Sequence, residues 1–202
     1  MTSNEKTSSR ALIDEATSAF MSGRADDALT ILDSIPPNAV GELAYSIDFT
    51  RGMIFEFGGR GVTPDPAAAE HCFRKVVLTS GHNDSSAMRY LARVLIQQGQ
   101  SRYAEAERWL DAAARACPSP LVSLGFGYLY ETCEPPDFEK AKRHYWAALL
   151  RGRFAGGFGL QRILRSQGRI WSAQMVMLLH VLFGPPAALF LGRRSRETFH
   201  RS

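Results

Sequence analysis

Five alanines set the frame of this chain. Ala28, Ala69, Ala106, Ala141 and Ala173 lie 41, 37, 35 and 32 residues apart, and each is followed three or four positions later by a bulky apolar residue. A second column of small residues, Gly52, Ala92, Gly125 and Gly159, is spaced 40, 33 and 34 residues. Small side chains at fixed places let helices cross closely, while the large ones fill the remaining space. Two columns in phase read as a repeat, and a chain of 202 residues holds about five helical hairpins of about 34 to 40 residues each.

The stretch from Gly59 to Gly81 shows the grammar of one unit. Gly59 and Gly61 supply turn conformations closed to other residues, Asp65 can cap the first helical amides, and Pro66 suits the first helical position. Ala69, Phe73, Val76 and Val77 fall on one helical face, and Gly81 ends the helix. Glu42 to Phe57 supplies the leading helix of that unit. An earlier hairpin turns at Gly23-Arg24 and stops at Ile35-Pro36-Pro37. A third begins at Asn83-Asp84-Ser85, a fourth at Pro120 with a turn at Glu134-Pro135-Pro136-Asp137, and a fifth near Phe154 with a turn at Gly168-Arg169.

β-Branched alternation is scarce, and Gly and Pro act as punctuation between apolar helical segments. The fold class is therefore all-α, an α-solenoid of antiparallel hairpins with an apolar C-terminal extension. Residues 1–9 are rich in Ser and Thr without periodicity and are expected to lack order. Residues 10–168 carry the repeats, and 169–202 form an apolar and basic C-terminal segment.

Arg51-Gly52-Met53-Ile54-Phe55, followed by Gly59-Arg60-Gly61-Val62, Asp65, Ala69, Cys72-Phe73, Lys75-Val76-Val77 and Gly81, resembles the Sel-one-like repeat, a bacterial-type relative of the tetratricopeptide repeat. Leu124-Gly125-Phe126-Gly127-Tyr128 repeats the leading part, and Lys140-Ala141, His144-Tyr145 and Ala147-Ala148 repeat the trailing part. The resemblance covers Asp14 to Met177. It implies a non-enzymatic scaffold that binds protein partners along a concave surface of leading helices. It also implies an association with envelope or exopolysaccharide pathways, as a helper beside a membrane-bound biosynthetic enzyme.

Catalytic signals are weak. His71 and Cys72 are adjacent on a helix and point in different directions, so with His82 they do not make a metal site. Gly156-Gly157-Phe158-Gly159 lacks the Gly-Lys-Ser/Thr ending of a phosphate loop. No enzyme, cofactor or metal is expected. Counting from the small-residue column, outward positions of the leading helices are Phe49, Met53, Glu56, Arg89, Arg93, Gln97, Phe126, Tyr130 and Arg153. Arg and aromatic residues on such a face are the usual anchors for a peptide or a helix. Core packing explains Phe49, Phe126 and Tyr130 equally well.

Net charge is +4, but Met1 to Glu139 carries 12 Lys and Arg against 19 Asp and Glu, whereas Lys140 to Ser202 carries 12 against 1. That split directs the C-terminal part toward something anionic. Ile170 to Leu191 is apolar nearly all round, is interrupted by Gly184-Pro185-Pro186, and is bounded by Arg169 and by Arg193, Arg194 and Arg196. It would reach across a bilayer if continuous, but Gln174, His180 and the break favour shallow insertion. Trp171, Met175, Leu178, Leu179, Leu182, Phe183 and Phe190, with the three arginines, are the candidate contacts with a membrane or with a second copy in a homo-oligomer. The remaining alternative is that the segment completes and caps the last hairpin. Nucleic acid fits less well, because the basic residues are not interleaved with a groove-reading motif. Cys72, Cys117 and Cys133 are odd in number and lack metal spacing. With no apolar leader near Met1, they suggest a cytoplasmic chain, peripheral at the inner membrane.

Overall fold

A computed structural model describes residues 3–36 and 41–178. Over these residues the chain is all-helical, and within each of two units its helices pack against their neighbours in chain order. No strand occurs among the described residues; an isolated antiparallel bridge joins Gly59 and Val62. Contacts divide the chain into two compact units, Met1–Ala116 and Cys117–Ser202.

The first unit holds α1 (Ser3–Met21), α2 (Ala25–Asp33), α3 (Glu42–Phe57), α4 (Pro66–Thr79), α5 (Ser85–Gln97), a 3-10 turn (Gln100–Arg102) and α6 (Tyr103–Ala116). It forms hairpins α1/α2, α3/α4 and α5/α6, with α1 also on α3 and α4 on α5. The second unit holds α7 (Pro120–Thr132), α8 (Phe138–Leu150), α9 (Ala155–Ser166) and α10 (170–178). There α8 packs on both α7 and α9.

Every alanine of the first column is wholly buried, and so are or nearly are the large residues that follow: Leu32, Phe73, Leu110, Tyr145 and Val176. The second column needs one correction of register. Gly127, rather than Gly125, lies against Tyr145; a Cβ built on it would come within 2.6 Å of the ring. Gly159 approaches the same ring from α9, and Gly52 approaches Phe73 in the same manner from α3. Each of these glycines is the hollow into which a large residue of the following or preceding helix fits.

The starts of α4, α5, α7 and α8 follow from their caps. Asp65 accepts from the Ala67 and Ala68 amides at 3.0 Å, with Pro66 at the first helical position. Asp84 accepts from Ser86 and Ala87 at 2.7 and 3.2 Å, Ser119 from Val122 at 3.4 Å, and Asp137 from Lys140 at 2.9 Å. Each satisfies amides that the first turn leaves without partners. The turn Gly59–Val62 is also tied to its neighbour: Arg60 N–H donates to Gly23 O, and Asp26 N–H donates to Arg60 O, both at 3.1 Å. Gly61, at φ +75, leaves room there for Asp26, which any Cβ would strike.

Helix α1 starts at Ser3, upstream of Arg10, where the repeats were expected to begin. Ser9 is buried and stands on the stripe of Ile13, Ala16 and Phe20. A small polar residue at its head hid the period. At the other end, Ala173 and Val176 of α10 join a core cluster with Ala141, Tyr145, Leu160, Ile163 and Leu164. α10 is thus the second helix of a hairpin with α9. No described helix is long and apolar enough to cross a membrane.

Candidate functional site

Four residues of α3, Tyr45, Phe49, Met53 and Glu56, are spaced along one side of the helix, and Arg89, Arg93 and Gln97 are spaced along one side of α5. Side chains join the two helices at three levels. Tyr45 Oη donates to Asp84 Oδ2, the carboxylate whose other oxygen caps α5. The Phe49 ring meets Tyr90 edge-on at 5.5 Å, while Tyr90 stacks on Phe73 at 5.3 Å. At the far end of α3, Arg93 Nε lies 2.8 Å from Glu56 Oε1.

Glu56 is unusual: its side chain has 0% exposure, against 40% for Arg93. Neither carboxylate oxygen accepts a hydrogen bond among the described residues. Burial pushes this carboxyl up to about 7, against the pull of Arg93 and then Arg89. The two arginines are spread on aromatic rings. Arg93 Cζ lies 4.6 Å from the centre of Phe57, a ring 42% exposed, and Arg89 Cζ lies 4.2 Å from that of Tyr90. Such stacking holds a guanidinium in place and leaves its edge for a ligand. Glu56 thus pairs with Arg93 alone and feels Arg89 only through its field, and this carboxylate resists ionisation.

Two other clusters of charged groups pair among themselves. Glu70 receives Arg74, Arg102 and Gln98, and Arg74 also reaches Glu105, which tie α4 to α5 and α6. In the second unit Glu131 of α7 accepts from Tyr145 of α8 at 2.6 Å and from both arms of Arg162 of α9. These pairs pin helices together and have little capacity left for a ligand.

The remaining candidates separate by unit. Met53 is half-buried and Gln97 exposed. In the second unit Phe126 is buried and stacks on His144 at 4.9 Å, with half-buried Tyr130 at 6.2 Å and Lys140 over the Tyr130 ring. Burial, then Arg143, lowers the His144 pKa. Arg153 is exposed in the turn before α9 and is not on a leading helix. Cys72 is buried, and burial first, then Asp48, pushes its thiol up to about 11. His82 stacks on Trp109 at 5.9 Å. No group of three His, Cys, Asp or Glu among the described residues is arranged to hold a metal. Trp171, Met175 and Leu178 are exposed on α10. Leu179, Leu182, Phe183, Phe190, Arg193, Arg194 and Arg196 lie outside the described residues.

No family model, curated protein or solved structure matches the chain. The α3–α5 face is therefore read from its own chemistry. Sequence reasoning placed Glu56 outward and missed Tyr90 and Phe57. The one signal for Phe57 and Tyr90 was their position beside residues already chosen.

Proposed function

We propose that the chain is a non-enzymatic helical-repeat scaffold of the solenoid class, related to the Sel-one-like type, which captures a segment of a partner protein on the α3–α5 face. The observation that carries this reading is a pair of ring-stacked guanidiniums on one side of α5, of which Arg93 pairs with the buried carboxylate of Glu56 and Arg89 has no carboxylate within 4.0 Å among the described residues. The excess positive charge suits a carboxylate of the partner, and half-buried Met53 and the exposed part of Phe57 suit an apolar side chain next to it. The Asp84 cap of α5 and the interlocked rings of Phe49, Tyr90 and Phe73 hold this face without reordering, which keeps the cost of binding low.

Selection from a random displayed-peptide library tests the reading. Peptides enriched on the full chain should carry an acidic residue beside an apolar one, and their affinity should fall about tenfold or more in Arg89→Ala, the loss of a charged hydrogen bond. Melting of that variant at pH 4.5 or below, where Glu56 is protonated in the folded chain, should stay close to the parent's, because Arg89 makes no ion pair within 4.0 Å among the described residues. Unchanged affinity in Arg89→Ala would remove this face from the binding site.

A further inference from the structure

The outer side of α10 poses a separate question. A helix that ends a stack of hairpins turns a polar side outward. Here Ala173 and Val176 face the core, while Ile170, Trp171, Met175 and Leu178 are exposed on the other side, Trp171 at 82%. Gln174 is the polar residue of that stripe. Exposed apolar side chains in one line need a partner of matching chemistry.

The charges around the stripe say which. Arg165 and Arg169 lie at the turn that leads into α10, and Arg151 and Arg153 lie in the turn before α9. Gln161 meets Met177 at 3.4 Å, so α10 runs back along α9 toward that second turn. Basic residues therefore stand at both ends of the stripe. All four are exposed, and none has a carboxylate within 4.0 Å among the described residues. No Asp or Glu occurs anywhere from Lys140 to Leu178.

We propose that the outer face of α10 docks on an anionic phospholipid surface, with Trp171, Met175 and Leu178 entering the headgroup boundary and Arg165 and Arg169 meeting phosphates. Trp at a bilayer interface, flanked by Arg, is the pattern of a helix lying in the membrane plane. The sequence beyond it continues the same chemistry, with apolar residues up to Leu191 and then Arg193, Arg194 and Arg196. A second copy is a poorer occupant, since a two-fold contact would bring one basic rim against the other. The chain's own 179–191 is poorer too. That segment is almost wholly apolar in sequence, so as a cover it would bring as much apolar surface as it hid.

Flotation of the full chain decides the matter, using vesicles of phosphatidylcholine alone and vesicles of phosphatidylcholine and phosphatidylglycerol in equal parts. The expected result is flotation with the anionic vesicles only, reversed by high salt. Trp171→Asp with Met175→Asp should abolish it and leave melting unchanged, because both side chains are exposed. Arg165→Glu with Arg169→Glu should weaken it about tenfold or more. Absence of flotation overturns the proposal, and so does flotation that the α10 variants do not reduce. A dimer in sedimentation that the Asp variant splits, without vesicle binding, assigns the face to a second copy and also overturns it.

Discussion

Glu56 carries a charge that the fold resists, and the sign of the effect is fixed by its pKa. The ordinary value is 4.5 and the folded value about 7. Between the two, the folded chain holds a proton that the unfolded chain has released, so stability falls as pH rises through that window and levels off above it. The total is about 3 kcal/mol. Glu56→Gln should flatten this slope and match or exceed the parent in melting temperature above pH 7, because Arg93 remains partly hydrated when its partner is gone. Arg93→Ala should do the opposite and steepen the slope, since it leaves the carboxylate buried without a counter-charge. Melting curves across the window check both. Counting helical positions placed Glu56 on an outward face, and counting could not reveal that its side chain is wholly buried beside Arg93 of α5. The same limit applies to Leu124-Gly125-Phe126-Gly127, where two glycines offer themselves and only the Tyr145 ring chooses between them.

Elements were far more legible than sites. Caps at Asp65, Asp84 and Asp137 are local, each made within three residues of the side chain that makes it, so the sequence displays them directly. The alanine column is legible for a related reason: one contact is repeated in every hairpin and leaves a period. The approach of α9 to α8 was legible only as glycine content. A Cβ on Gly156 would stand 2.3 Å from Tyr145 O and 3.0 Å from Leu149 N, both backbone atoms that cannot swing aside. Gly156→Ala must therefore part the two helices. It should cost about 1–3 kcal/mol, read as a drop in melting temperature. A preserved melting temperature would mean that α8 and α9 are not held this closely.

On the scale of the whole molecule, the two units each have a core of their own, one built on α1, α2 and α3 and the other on α8, α9 and α10. Residues 1–116 should therefore fold alone, with helical circular dichroism and a single cooperative melt; a non-cooperative melt would show that the unit depends on the rest of the chain. The fold class and the hairpin boundaries follow from patterns shorter than one hairpin. The division into units depends on which helices touch, and no local pattern records that. Glu56 belongs at this scale as well. A chain bred in the laboratory for heat resistance at neutral pH would discard that carboxylate early, gaining stability with each generation and losing the charge that sets Arg93 in place. On the reading proposed above, the most heat-resistant descendants would be the ones that hold Arg93 least firmly for a partner.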